Sequence, residues 1–198
     1  MTEVPSAGMT TGSLNESYPT PAPSFGQLIL DRCGKSPSRE AFRAPTKDGG
    51  WRSYTWAQSL DEASVAAAGL VALGLEIEER VAIASNTRLE WIFADMAIML
   101  AGGATTTVYP STSDEDVQFI LSDSNSKILI AEDQGQADKA ATSDSVRNVV
   151  LIDGEGDGEK TLSWAQLCEK GKALLAENPN LIQERVDQTG PEKLATLI

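Results

Sequence analysis

The sequence predicts an α/β chain, with a mostly parallel sheet flanked by helices and a short β-hairpin near the start. Two observations carry this reading. First, the runs Val81 to Ala84, Ala104 to Tyr109, Lys127 to Ala131 and Val149 to Ile152 are nearly continuous in apolar or β-branched residues. Strands buried on both faces of a parallel sheet need that pattern, whereas half-solvated strands alternate. Second, stretches with helical spacing of apolar residues stand between these runs, and several open with Ser or Thr followed three residues later by Gln or Glu. Such a pair satisfies the free N–H groups of a first helical turn. Strands alternating with capped helices build βαβ units, so helices cover both faces of the sheet.

Taken in order, Met1 to Pro23 are rich in Ser, Thr, Pro and Gly and contain no apolar run of signal-peptide type. They are expected to form a disordered tail over residues 1–23, ahead of one domain over 24–198. Ser24 with Gln27 reads as a capping box opening an amphipathic helix through Phe25, Leu28 and Ile29 toward Gly34, lying on the surface of a core. Ala41 to Ala44 and Trp51 to Tyr54 flank Lys47-Asp48-Gly49-Gly50, whose glycines supply the left-handed positions of a hairpin turn. Thr55 with Gln58 opens a helix carrying Trp56, Leu60, Ala63, Ala67, Leu70 and Val71 on one face, and Gly74 stops it.

After the first apolar run, Thr87 and Glu90 are expected to cap a helix burying Leu89, Ile92, Phe93, Met96, Met99 and Leu100, with Trp91 and Ile98 as a second stripe. Gly102-Gly103 stops it. Ser113 opens the next helix with Asp114, Glu115 and Asp116 in its first turn, where carboxylates favour the helix dipole, and Val117, Ile120 and Leu121 face inward. A metal site would need further ligands from elsewhere, so the acidic trio reads as capping. A weaker helix spans roughly Gln134 to Ala141. Ser163 with Gln166 opens the last strong helix, with Trp164, Leu167, Cys168, Gly171, Leu174 and Leu175 on one face. The segment Asp153-Gly154-Glu155-Gly156-Asp157-Gly158 is glycine-rich, but its three acids repel phosphate and no Lys-Ser or Lys-Thr pair follows at Walker spacing. It reads as a solvated turn after a strand.

Composition narrows the function. A net charge of -13 argues against nucleic acid as a partner, because phosphate backbones are held by clustered Lys and Arg. Histidine is absent, which removes Ser-His-Asp and Cys-His nucleophile systems and histidine metal sites. Cys33 and Cys168 lack zinc or redox spacing and read as buried small hydrophobes. The longest apolar stretch, Val65 to Leu75, is well short of the ~20 residues of a transmembrane helix. A cytoplasmic protein is expected.

The segment Arg80-Val81-Ala82-Ile83-Ala84-Ser85-Asn86-Thr87, continued by Glu90-Trp91, Ala101-Gly102-Gly103-Ala104, Val108-Tyr109-Pro110-Ser111-Thr112 and Ile128-Leu129-Ile130-Ala131-Glu132, resembles the AMP-forming long-chain acyl-CoA synthetases of the adenylate-forming superfamily. Tyr54-Thr55-Trp56 resembles their helix opening, and the similarity covers about Phe25 to Ile198. The resemblance implies the amino-terminal part of the AMP-binding domain of a ligase in fatty acid metabolism. In that family ATP and Mg adenylate a fatty carboxylate, and coenzyme A then displaces AMP.

It also implies that Leu194 to Ile198 resemble the strand ahead of the family's phosphate loop. The loop, the magnesium-binding Glu and the catalytic Lys would all come later in the chain. The chain is therefore expected to be inactive alone, and no residue of it is assigned a catalytic, cofactor-binding or metal-binding role. In doubly wound sheets ligands bind beyond the carboxyl ends of strands, which nominates Ser85, Asn86, Thr87, Pro110, Ser111 and Thr112, each of which also reads as a turn or cap. Tyr109 and Trp91 read either as lining for an acyl pocket or as plain core. The resemblance places the complete enzyme in the cytoplasm, with peripheral membrane contact open to it.

Two other readings compete. One is a non-enzymatic α/β interaction module that pairs with another synthetase chain or with itself. The other is an independent Rossmann or flavodoxin-type nucleotide binder, which is weakened because Ser85-Asn86-Thr87-Arg88 lacks the close-approach glycines after the first strand.

Overall fold

The computed structural model describes residues 21–46 and 48–198, so the expected tail lies outside the described residues apart from its last three positions. In chain order the elements are α1 (Phe25–Lys35), β1 (Glu40–Pro45), β2 (Trp51–Thr55), α2 (Trp56–Ala72), β3 (Arg80–Ala84), α3 (Leu89–Leu100), β4 (Ala104–Val108) and α4 (Asp114–Asp123). They continue with β5 (Ile128–Ala131), α5 (Gln134–Asp138), β6 (Asn148–Leu151), β7 (Thr161–Ser163), α6 (Trp164–Glu177), α7 (Leu181–Val186) and β8 (Thr196–Leu197). Six strands form one parallel sheet in the order β7-β6-β5-β3-β4-β8, while β1 and β2 pair antiparallel as a separate hairpin.

Both faces of the sheet are covered, as the continuous apolar runs require. Val81 and Ile83 of β3, Ile128 and Ile130 of β5 and Val150 of β6 face the layer of α1, α2, α3, α6 and α7. The intervening Ala82, Ala84, Leu129, Ala131 and Leu151 face Val117 and Leu121 of α4 and Ala137 of α5. Each fully buried Val, Leu or Ile side chain of this set adds about 1.5–3 kcal/mol of hydrophobic stabilisation.

In the first layer α2 and α6 cross on glycine. A Cβ at Gly171 would lie 1.9 Å from the Val65 carbonyl oxygen, and one at Gly69 would lie 2.4 Å from that of Leu167. Only residues without side chains allow that approach. The hairpin docks on the same layer through Phe42 and Tyr54, whose rings meet Phe93 at centroid distances of 6.3 and 5.5 Å.

The caps at Thr55 and Ser163 are complete boxes, with the Gln58 and Gln166 side chains returning to the cap backbone. The box expected at Ser24 is only half present. Ser24 accepts from the Gln27 N–H, but the Gln27 side chain instead donates to Asp31 at 2.7 Å. Thr87 does not cap α3 either. Arg88 occupies that position without a side-chain cap, because its guanidinium and Glu90 are held in an ion-pair network.

Two elements lie outside the sequence reading, β7 and α7, both too short to show a period, while β8 is a two-residue part of the strand expected at Leu194 to Ile198. The helix expected from Gln134 to Ala141 ends at Asp138. Cys33 is buried as expected, whereas Cys168 is half-buried on α6. Burial nonetheless pushes its thiol up to about 11, so the thiolate is scarce at neutral pH. No helix among the described residues is long and apolar enough to cross a membrane.

Candidate functional site

Strand order reverses at β3 and β4. After β3 the chain turns into α3 on one face of the sheet, and after β4 it turns into α4 on the other. The two connections diverge and leave a crevice between the carboxyl ends, the place where ligands bind in open α/β sheets. An open groove of about 690 Å3 lies there, running from this crevice along the α3 face of β4.

Of the six nominated positions, Ser85, Asn86, Thr87 and Pro110 line this groove, while Ser111 and Thr112 do not. Trp91 and Tyr109 line it as well. Tyr109 is 74% exposed, so the plain-core reading fails for it. The strand ends one residue earlier than expected, at Val108, and releases the ring.

The loop after β3 gets its shape from charge instead of glycine. Arg88 pairs with Glu90 at 2.7 Å, approaches Glu132 at 3.8 Å and donates to Asp153. These carboxylates, Asp153 first, hold the guanidinium pKa above its ordinary value. Glu132 Oε2 accepts from both the backbone N–H and the side-chain amide of Asn86, each at 2.8 Å. The loop is thereby stapled to the ends of β5 and β6, and the Asn86 side chain is already engaged. Opposite it, Lys139 donates to the carbonyls of Pro110 at 2.7 Å and Thr112 at 2.9 Å, fixing the loop after β4.

The groove floor holds a residue the sequence reading passed over. Asp95 is the single charged side chain of α3 beyond its first turn, and it accepts from the Thr105 hydroxyl of β4 at 2.7 Å. Burial pushes its carboxyl above the usual value, opposed by that hydrogen bond. A lone Asp inside the run Ile92 to Leu100 is the signal that could have found it.

The two other segments weighed in the sequence resolve into local structure. Asp157 Oδ1 accepts from the N–H groups of Glu159 at 2.7 Å and Thr161 at 3.0 Å, closing the acidic glycine-rich turn on itself. Ser113 both accepts from the Asp116 N–H at 3.2 Å and donates to its carboxylate at 2.7 Å, which is the capping reading of the acidic trio.

Together these features define an open, doubly wound α/β unit with a crevice at its switch point. The sequence profile of the AMP-binding enzymes matches residues 30–198, and the chain belongs to that family. Among curated proteins it is 36% identical over 158 residues to the long-chain-fatty-acid–CoA ligase FadD15 of Mycobacterium tuberculosis, covering 74% of this chain and 26% of that protein. It is 27% identical over 178 residues to the long-chain-fatty-acid–CoA ligase ACSBG2 of Rattus norvegicus, covering 85% of this chain and 25% of that protein.

The chain thus spans about a quarter of the length of these relatives. Among solved structures, an anthranilate CoA ligase, AuaEII, in complex with anthranoyl-AMP superposes with a TM-score of 0.68 at 20% identity, over 89% of this chain and 31% of that one. An acyl-CoA synthetase of Brucella canis superposes with a TM-score of 0.61 at 16% identity, over 71% and 27%. At those identities the superpositions speak to the fold alone.

Proposed function

We propose that the chain supplies the amino-terminal part of the AMP-binding domain of a long-chain fatty acid–CoA ligase, over residues 24–198. In this reading the complete enzyme converts a fatty acid, ATP with Mg, and coenzyme A into acyl-CoA through an acyl-adenylate. The observation that carries it is the 36% identity over 158 residues to FadD15, whose name gives long-chain fatty acids as its substrate class.

The chain's own contribution is architectural. It presents the crevice between β3 and β4, with its two loops fixed by Arg88, Glu132 and Lys139. Groups that grip triphosphate, magnesium and coenzyme A belong, in this reading, to the remaining length spanned by the relatives. Residues 24–198 by themselves are therefore inactive, and the complete enzyme works in the cytoplasm or against a membrane surface.

The test is fatty-acid-dependent ATP–pyrophosphate exchange with the purified 198-residue chain. Exchange at the background rate is expected, and robust exchange would overturn the reading.

A second reading takes the chain as a non-enzymatic module that associates with a synthetase chain or with itself. Its support is the cluster of exposed apolar side chains beside β8, with Phe25 56% and Leu28 50% exposed. Size-exclusion chromatography with a full-length synthetase separates the two, since a monomer that ignores the partner rules this one out.

A further inference from the structure

The hairpin of β1 and β2 turns one face to the helical layer and the other away from it. Partner residues in an antiparallel pair share a face, so Phe42 with Tyr54 and Ala44 with Arg52 lie on one side, and Arg43 with Ser53 and Pro45 with Trp51 lie on the other. Phe42 and Tyr54 pack on Phe93 of α3, which leaves Pro45 and Trp51 facing outward. Trp51 is 66% exposed, and Pro45 beside it is exposed as well. No residue of β1 or β2 lines either cavity near β8, so this exposure is independent of that edge of the sheet.

The charge around this face is opposite to that of the chain. Residues 32–52 carry Arg32, Lys35, Arg39, Arg43, Lys47 and Arg52 against Glu40 and Asp48, a net charge of +4 within a total of -13, so the remainder carries -17. Arg43 is engaged with Glu40 at 2.9 Å, but Lys35, Arg39 and Arg52 are exposed and form no ion pair among the described residues. Arg32 and Arg52 lie over the Trp56 and Tyr54 rings at 4.3 and 4.5 Å, which keeps both cations at the hairpin.

An exposed indole with free cations around it suits a flat, anionic boundary between water and hydrocarbon. Tryptophan sits at the headgroup level of a bilayer, where its ring is apolar and its N–H stays hydrated, and anionic headgroups attract Lys and Arg within about a Debye length of the surface. At physiological salt that length is about 8 Å, so acidic groups farther from the contact are screened from the repulsion.

We propose that the outer face of the β1–β2 hairpin is a docking surface for an anionic lipid bilayer, with Trp51 entering the headgroup layer and Lys35, Arg39 and Arg52 meeting lipid phosphates. The contact is reversible and salt-sensitive, because it uses one ring and few charges. It gives a structural basis to the membrane-surface part of the ligase reading but stands on the hairpin alone, so pyrophosphate exchange that overturned that reading would leave it in place.

The test mixes the purified 198-residue chain with vesicles of phosphatidylcholine alone, and with vesicles of equal parts phosphatidylcholine and phosphatidylglycerol, reading co-sedimentation and tryptophan emission. Saturable binding is expected with the anionic vesicles only, accompanied by a blue shift and lost in high salt. Trp51→Ser should abolish the blue shift, since Trp56, Trp91 and Trp164 are half-buried in the fold. Arg39→Gln together with Arg52→Gln should weaken binding about 25-fold, at about fivefold per charge. Lys170→Gln together with Lys172→Gln removes the same charge from the exposed face of α6 and should change binding by less than about twofold.

Equal binding to the two kinds of vesicle, or none to the anionic kind at low salt, overturns the proposal without recourse to any variant. So does an unchanged blue shift in Trp51→Ser, or equal weakening by the two double variants. A blue shift that grows with protein concentration in the absence of lipid would assign the face to a second copy of the chain and overturns it as well.

Discussion

The α2–α6 contact and the margin of α1 beside β8 lie on the same side of the sheet, yet they are built on opposite terms. At α2–α6, Gly69 and Gly171 bring two helix backbones into direct contact, and Ala63, Ala66, Ala67 and Leu167 are all sealed around them. At α1–β8, a two-residue strand and a half-capped helix leave Phe25 and Leu28 in water beside a cavity of about 400 Å3. The first region holds the fold together and tolerates nothing added. The second is open on its outer side, and it is where the groove and the exposed apolar surface meet.

The sharpest way to break this contrast is at Gly171. Gly171→Val puts a branched side chain into the Val65 backbone and should cost about 3 kcal/mol, at the upper end for overpacked cores. Gly190→Ala, on the open side where nothing lies within 4 Å of an added Cβ, should change stability by less than about 0.5 kcal/mol. Urea denaturation midpoints of the two variants measure this, and equal losses would dissolve the distinction.

A smaller effect is expected at Arg147, which clasps Glu79 at 2.7 Å and the Gly74 carbonyl at 2.6 Å near the amino ends of the strands. Arg147→Ala should cost about 1–2 kcal/mol, less than a sealed pair because the guanidinium is partly exposed. The Arg147 hydrogen bond holds the Glu79 carboxyl below its usual value of 4.5. Its contribution is therefore fully present above pH 4.5 and is lost as the pH falls through the lowered folded value. The stability difference between the natural chain and Glu79→Gln should be flat near neutrality and vanish in acid.

The helix caps sharpen the comparison further. Thr55→Ala removes a complete box at the start of α2 and should cost about 1 kcal/mol, whereas Ser24→Ala removes half a box and should cost about 0.5 kcal/mol. Thermal unfolding of the pair ranks them. Smallest of all is Leu28→Ser on the exposed face of α1, expected within about 0.5 kcal/mol of the natural chain. A larger loss there would mean that the open margin is more tightly packed than its exposure indicates.

The inner strands were legible because burial on both faces leaves a compositional mark. Every residue of Val81 to Ala84 and of Ile128 to Ala131 is buried, and both runs read as strands from residue type alone. β7, α7 and β8 carry no such mark. Three, six and two residues are too few for a period to register; β7 coincides with the cap of α6 at Ser163, and β8 was expected only through the resemblance of Leu194 to Ile198.

The groove was half legible. General knowledge of doubly wound sheets led to the loops after β3 and β4, but no rule of spacing pairs Asn86 with Glu132, or Arg88 with Asp153 across 65 residues. The expected Thr87 cap failed for the same reason: a tertiary ion network outweighed a local hydrogen bond.

The amino-acid order by itself determined the class of fold, the hairpin, two of the four expected capping pairs and the family resemblance. All of these depend on interactions within a few residues or on burial, which composition records directly. Tertiary structure alone decided the strand order, the point where it reverses, the staple around Arg88 and the contact of Asp95 with Thr105. Each of those depends on which distant segments become neighbours, and the free energy that selects them belongs to the packed layers as a whole and to no single stretch of chain.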